Sequence, residues 1–332
     1  MTHATLDRVL AVLVVAMAAT GLLTLRAGTS ETAWVYVLHG VLAGALLAAT
    51  VVKLRRSVPR AVEAGRWRRL LLAALVSLGT IAALSGGFLW VTSGQSLSIG
   101  SWTVLTLHAW VGLALVPLVV LHLIPTRWRL LRPAPSGAPR RGRVLARRTV
   151  LAAGGLALVG VATVGLTGAI DQLRGGTRRF TGSRWLPAGS VPPPTTFFGE
   201  GPPSIDIEAW RVHVTDAAGL ERSLSLADLQ TMGAVERSVV LDCTSGWAMD
   251  TTWRGVSLPV VLAQDIAPRP WLIRSATGWA TVLSADEVAD SILAWDVAGS
   301  PLPAFNGAPL RLVVPSRRGL DWVKWVSEIR PA

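Results

Sequence analysis

Cysteine and tyrosine each occur once in 332 residues. A single thiol, Cys243, excludes an internal disulfide and every zinc or iron–sulfur motif built from several cysteines. Acidic residues are also in short supply, with 20 Asp+Glu against 32 Lys+Arg, but the deficit is uneven. From Thr195 onward 11 Lys+Arg face 16 Asp+Glu, so the positive excess belongs to the first 194 residues. There it is confined to two short blocks between apolar runs. Cations that flank hydrocarbon-length segments mark membrane topology, and they do not form the single exposed face that nucleic acid would need.

What the first half has in abundance is apolar sequence. Five stretches follow one another, at about Val9–Leu25, Ala33–Val52, Leu70–Val91, Trp102–Ile124 and Thr149–Ile170, and none carries Lys, Arg, Asp or Glu in its middle. Each is long enough to cross a hydrocarbon core of about 30 Å as a helix. The expectation is an all-α bundle of five transmembrane helices in the lipid bilayer. The loop after the second run holds Lys53, Arg55, Arg56, Arg60, Arg66, Arg68 and Arg69. The loop after the fourth holds Arg127, Arg129, Arg132, Arg140, Arg141, Arg143, Arg147 and Arg148. The alternate loops are almost uncharged, so positive-inside bias puts the N-terminus and both basic loops in the cytoplasm. Trp34, Trp90 and Trp102 then fall at the outer ends, and Trp67 and Trp128 at the inner ends. The fifth helix runs outward and delivers the rest of the chain to the extracytoplasmic side. Arg147-Arg148 ahead of its Ala/Gly-rich apolar run fits either a twin-arginine export signal or a plain stop-transfer flank.

Three of the five histidines, His39, His108 and His122, lie within these spans, where ionisable residues are costly and are functional candidates. His39 and His108 each sit six residues into a helix that descends from the outer face, about 9 Å deep at 1.5 Å per residue. Small residues follow each, Gly40 and Gly44 after His39, Ala109 and Gly112 after His108. Two imidazoles at matching depth on facing helices, with clearance for a flat ring, suit the axial ligands of a haem b. The alternative is hydrogen bonding between helices, which is the preferred reading for His122 at the cytoplasmic end.

Asp171 to Pro194, with Gly175-Gly176, Arg178-Arg179 and Pro192-Pro193-Pro194, suggests an extended tether. Beyond it the pattern changes to short strands and turns, an α+β domain that is mostly β. Trp210–Thr215 alternates, placing His213 on the polar face. Leu226–Met232 reads as a helix capped by Ser225. Strands are expected at Ser238–Cys243, Trp271–Arg274, Trp279–Leu283, Leu310–Pro315 and Trp322–Ile329. Cys243 lies where the first of these strands runs into a small-residue turn, open to a role as metal ligand, nucleophile or inert filler. With His213 facing water, no Cys/His or Ser/His/Asp system can be assembled, and a metal thiolate remains the chemical candidate.

Taken in order, Trp210–Val214, Leu224–Leu229, Cys243-Thr244-Ser245-Gly246-Trp247, Trp253-Arg254-Gly255-Val256, Asn306–Pro315 and Lys324-Trp325-Val326 resemble the sulfite-oxidase-like molybdopterin oxidoreductases. The branch they are most similar to is the bacterial one that includes periplasmic methionine-sulfoxide reductases. The resemblance covers roughly the last 135 residues. It implies that Cys243 is the thiolate ligand of molybdenum and that Asn306 and Arg311 hold the pterin and its phosphate. It further implies that Trp322, Val323 and Lys324 form another cofactor-contacting segment, joined by Ser275. Soft thiolate suits a sulfur-bound metal, and a planar guanidinium suits phosphate. The chain departs from the sulfite-oxidising branch, which uses an active-site tyrosine, because Tyr36 lies in the membrane half. The family's segment ahead of the core is short here, with Phe197-Phe198-Gly199-Glu200 in its place. Arg254, Arg317 and Arg318 are candidates to steer substrate, against the plainer reading of exposed charges.

The expected organisation is a four-helix module at 1–132 with a possible haem b, then a basic loop, fifth helix and linker at 133–194, and a molybdopterin domain at 195–332. Quinol or another redox partner would exchange electrons with it, and the substrate would be a small sulfur- or oxygen-containing compound. The alternatives are a haem-only electron carrier and a cofactor-less binding or sensing protein.

Overall fold

A computed structural model describes residues 3–131, 147–263 and 269–332. The basic loop at 132–146, with Arg132, Arg140, Arg141 and Arg143, lies outside the described residues, as do the side chains of Arg127, Trp128, Arg129, Arg147 and Arg148. The chain divides into two compact units, the first made of Met1–Thr24, Ala33–Leu97 and Val104–Thr177.

Among its described residues the first unit is helical: α1 (His3–Thr24), α2 (Ala33–Glu63), α3 (Trp67–Thr92), α4 (Val104–Leu131) and α5 (Arg147–Leu173). Among the described residues all five are long and apolar enough to cross a membrane, as expected. α2 runs further than its apolar stretch, carrying Lys53 and the arginines that follow on to Glu63. Lys53 forms an ion pair with the buried Asp7 of α1. Small residues bring α2 and α5 together, since a Cβ on Gly160 would stand 2.2 Å from the Val41 carbonyl. Close backbone approach of this kind is how helices associate where lipid removes the hydrophobic drive.

The second unit is Leu25–Thr32, Ser98–Thr103 and Arg178–Ala332. It opens with the two-residue strands β1 (Ser98–Ile99) and β2 (Trp102–Thr103) and continues with β3 (Arg184–Trp185), β4 (Val212–Thr215) and β5 (Glu221–Leu224). Then come α6 (Leu226–Thr231), β6 (Val235–Asp242), β7 (Trp247–Ser257), α7 (Leu258–Val261), β8 (Trp271–Ser275) and β9 (Ala280–Leu283). The chain ends with α8 (Ala285–Ala289), β10 (Ile292–Val297), β11 (Ser300–Pro301), β12 (Arg311–Val313) and β13 (Val326–Pro331). One sheet runs β11-β10-β7-β3, with β12 on β10 and β6 on β7, and the other runs β5-β4-β13-β8-β9. β4 pairs β13 in parallel and β3 pairs β7 in parallel, while the long β6–β7 hairpin is antiparallel.

The alternating burial of Val212 and Val214 leaves His213 exposed, as its strand period requires. Ser225 caps α6 through a reciprocal box with Asp228. The last strand begins at Val326, four residues later than its apolar pattern suggests, because Gly319–Asp321 forms a 3-10 turn. Trp322 and Trp325 are instead buried in the core. The segment read as a tether is different too. Arg178 to Pro194 belongs to the second unit, with Arg184 and Trp185 paired to Trp247 and Ala248.

Candidate active site

Cys243 stands in the turn that joins β6 to β7. Its N–H donates to the Trp247 carbonyl at 2.8 Å, and its carbonyl accepts from Gly246 N–H at 2.9 Å. The turn closes because Gly246 takes φ +97°, a conformation that L side chains rarely adopt. The thiol is therefore presented at a strand end and is partly exposed.

Beneath it lies Asp242, 1% exposed, at the centre of a polar network. Its carboxylate accepts from Arg179 Nη1 at 2.7 Å, Thr181 Oγ1 at 2.8 Å, Ser183 Oγ at 2.6 Å and Arg318 Nη2 at 3.0 Å. Arg318 Nη2 also donates to the Cys243 carbonyl at 3.0 Å. Arg318 is thus a buried structural cation and not a surface charge poised for substrate. Arg317 is likewise engaged, gripping Glu287 at 2.6 and 2.7 Å, and Arg254 is exposed beside Asp296.

Cys243 opens into a pocket that continues to solvent. Of the expected site residues, Asn306, Arg311, Trp322, Lys324 and Ser275 all line it. Val323 does not. Its side chain is fully buried and its carbonyl accepts from Leu312 N–H at 2.8 Å. Asn306 donates its amide nitrogen to the Pro192 carbonyl at 3.1 Å, holding the proline-rich segment against the site. Gly307, at φ +116°, lets the chain turn where a Cβ would stand 3.1 Å from Lys324 and 3.3 Å from Arg311.

Arg311 decides what the pocket suits. It is buried, its Nη1 donates to the Asn306 carbonyl at 2.8 Å, and its Nε has no partner. The guanidinium lies 5.4 and 5.8 Å from the ring centres of Trp253 and Trp322. Burial lowers its pKa to about 10, against the opposing pull of Cys243, so it remains a cation at neutral pH. Lys324 follows the same pattern, lowered to about 8 by burial and by Arg311, with Cys243 and Glu200 acting the other way. Ser245 Oγ, also on the pocket wall, is buried without a partner. A buried Arg311 with an unsatisfied donor, and a half-buried Lys324, beside a soft sulfur fit an anionic, sulfur-bound metal cofactor.

Residues 199–331 match the family described as the oxidoreductase molybdopterin binding domain. The C-terminal domain belongs to the sulfite-oxidase-like molybdopterin oxidoreductases. The molybdopterin domain is similar to the protein-methionine-sulfoxide reductase catalytic subunit of Xanthomonas campestris, 33% identical over 148 residues, which cover 38% of this chain and 46% of that protein. The corresponding subunit of Gluconobacter oxydans is 27% identical over 237 residues, covering 61% of this chain and 74% of that one. Human mitochondrial sulfite oxidase is 28% identical over 164 residues, 38% of this chain and 30% of that protein. The chain thus spans about half the length of the Xanthomonas relative.

Sequence reasoning named Phe197 and Phe198 as what stands in for the family's segment ahead of the core, and Trp247 in the cysteine motif, but did not single out Thr195, Thr196 or Trp279, which line the same pocket. Phe198 lies 5.6 Å from Trp279 between ring centres. These residues precede or interrupt the strands, and only the fold brings them to the cysteine.

The other expected pair lies in the helical unit. The rings of His39 on α2 and His108 on α4 are 6.2 Å apart between centres and nearly perpendicular. Thr20 Oγ1 lies within hydrogen-bond distance of both the Ala16 carbonyl and His39 Nδ1, each at 2.8 Å. His108 Nδ1 donates to the Ala83 carbonyl at 2.7 Å. Because a carbonyl can only accept, His108 carries a proton on Nδ1.

Proposed function

We propose that this protein is a membrane-anchored molybdopterin-dependent oxidoreductase that carries out oxygen-atom transfer on the extracytoplasmic side. The observation that carries the reading is Arg311, a buried cation with an unpaired Nε, sharing one pocket with the lone thiol. Bound molybdenum would supply two-electron exchange of an oxygen atom with substrate. Around it the chain's own groups have separate tasks. Cys243 offers the metal its thiolate, Arg311 and Lys324 offset anionic charge, and Asp242 with Arg318 fixes the backbone of the turn. Arg254, Arg317 and Arg318 are already paired, which leaves an aromatic mouth of Phe198 and Trp279 suited to a small neutral substrate such as a sulfoxide. Net reduction of a sulfoxide takes two electrons and two protons and releases water, with quinol as the donor.

Sidedness is supported by the charge of the loops and by composition of the second unit. The links between α1 and α2 and between α3 and α4, Leu25–Thr32 and Ser98–Thr103, belong to the same unit as the molybdopterin domain. Those are the loops that positive-inside bias assigns to the outer face.

For the electron path, the favoured reading is a haem b between His39 and His108. Two imidazoles brought to 6.2 Å between ring centres in membrane-spanning helices would hold the haem iron, and the haem would supply one-electron transfer. The fixed Nδ1 partners are the kind of support that orients metal-ligating histidines.

Metal analysis and an absorption spectrum of the purified full chain test both parts. Molybdenum together with a b-type haem spectrum is expected. Cys243→Ser should abolish turnover and leave that spectrum intact, whereas His39→Ala should remove it. A haem without molybdenum would favour the electron-carrier reading, and neither would favour a binding or sensing protein.

A further inference from the structure

The active-site pocket contains a hydrogen-bond chain whose direction is forced by the groups in it. The indole N–H of Trp247 can only donate, and it does so to Thr195 Oγ1 at 2.7 Å. With that oxygen accepting, the hydroxyl proton of Thr195 is left to give. The sulfur of Cys243 lies 3.9 Å away. A metal-bound thiolate has no proton and can only accept.

The hydroxyl is brought there by a pinned backbone. Pro192-Pro193-Pro194 restricts the approach, since each ring fixes φ near –65°. Asn306 holds the Pro192 carbonyl at 3.1 Å. Thr195 N–H donates to the Pro193 carbonyl at 2.8 Å, and Thr196 N–H to the Ser101 carbonyl at 3.2 Å. The segment is stapled on both sides of Thr195.

We infer that Thr195, oriented by Trp247, is a positioning residue that donates a hydrogen bond to the Cys243 thiolate when that sulfur ligates molybdenum. The inference rests on the molybdenum reading given above. A donor at a ligating sulfur draws electron density from it, and hydrogen bonds to sulfur ligands are among the levers that set metal potentials. Less charge on the sulfur favours the reduced metal, so the hydroxyl raises the molybdenum midpoint potential.

The test is a redox titration of the full, cofactor-loaded chain in detergent, followed by electron paramagnetic resonance of the molybdenum. Thr195→Val keeps the shape and removes the donor, Thr195→Ser keeps the hydroxyl, and Trp247→Phe removes the group that aims it. The expected result is a lower potential and an altered resonance in Thr195→Val, a smaller change in Trp247→Phe, and wild-type behaviour restored in Thr195→Ser. Loss of molybdenum from Thr195→Val with retention in Thr195→Ser would also uphold the contact. An unchanged potential in a fully loaded Thr195→Val, or Thr195→Ser behaving like Thr195→Val, overturns it. A wild-type protein that holds no molybdenum sinks the cofactor reading before any variant is compared, and this inference with it.

Discussion

At Arg311 the domain buries a guanidinium against two indole rings and leaves one of its N–H groups unpaired, an arrangement that costs about 1–3 kcal/mol unless a ligand satisfies it. An anionic cofactor group would remove that cost. Arg311→Met should therefore leave the cofactor-free protein at least as stable and weaken cofactor retention roughly ten- to hundredfold, the loss of one charge-assisted hydrogen bond of about 1.5–3 kcal/mol. Molybdenum content after dialysis, beside a thermal melt, checks both halves. Lys324 makes a second case. Its folded pKa lies near 8 and its ordinary value is 10.5. Between those values the unfolded chain holds a proton that the folded chain has released, so stability rises with pH across that window. The cofactor-free protein should thus gain stability from about pH 8 toward pH 10.5, and Lys324→Met should flatten that slope in denaturant titrations. Both cations were legible as site candidates from their place in a run of motifs. The burial of Arg311 was not, because a strand-edge arginine and a core arginine look alike in one dimension.

Elements meet at Asp242. The carboxylate at the end of β6 receives Arg179, Thr181 and Ser183 from the segment before β3, and Arg318 from the loop before the 3-10 turn. Two stretches far apart in sequence are tied to the residue next to Cys243. Removing one partner from a buried ion pair leaves the others uncompensated, and Asp242→Ala should cost about 3–5 kcal/mol, read as a shift in chemical denaturation. A loss well under that range would mean that the two arginines find water or other partners. This explains why the tether expectation missed. Glycines, arginines and prolines between Gly175 and Pro194 have the composition of a linker, yet their hydrogen bonds go to a buried carboxylate and a strand edge. Local composition does not reveal a partner sixty residues away.

On the scale of the whole molecule, the second unit is assembled from three separate stretches of chain. Thr103, fully buried, donates its hydroxyl to the Ser245 carbonyl, two residues from Cys243. Ser101 accepts from Thr196 N–H, and Trp102 lies against Gly199. The molybdopterin domain cut out as residues 178–332 would lose these partners and leave buried polar groups unpaired. It should melt lower and retain less molybdenum than the full chain in detergent, measured side by side. Equal occupancy and equal melting would show that the 98–103 hairpin is dispensable.

Periodicity and composition were enough to establish five candidate spans, a mostly β second half and the single thiol at a strand end. These depend on local composition, and hydrocarbon thickness and the positive-inside bias read nothing else. The pairing of Thr195 with Trp247, the partners of Asp242, the burial of Arg311 and the 6.2 Å between the His39 and His108 rings belong to tertiary structure alone. Each is a distance between residues that the chain keeps far apart, and only closing the sheets and packing the helices sets it.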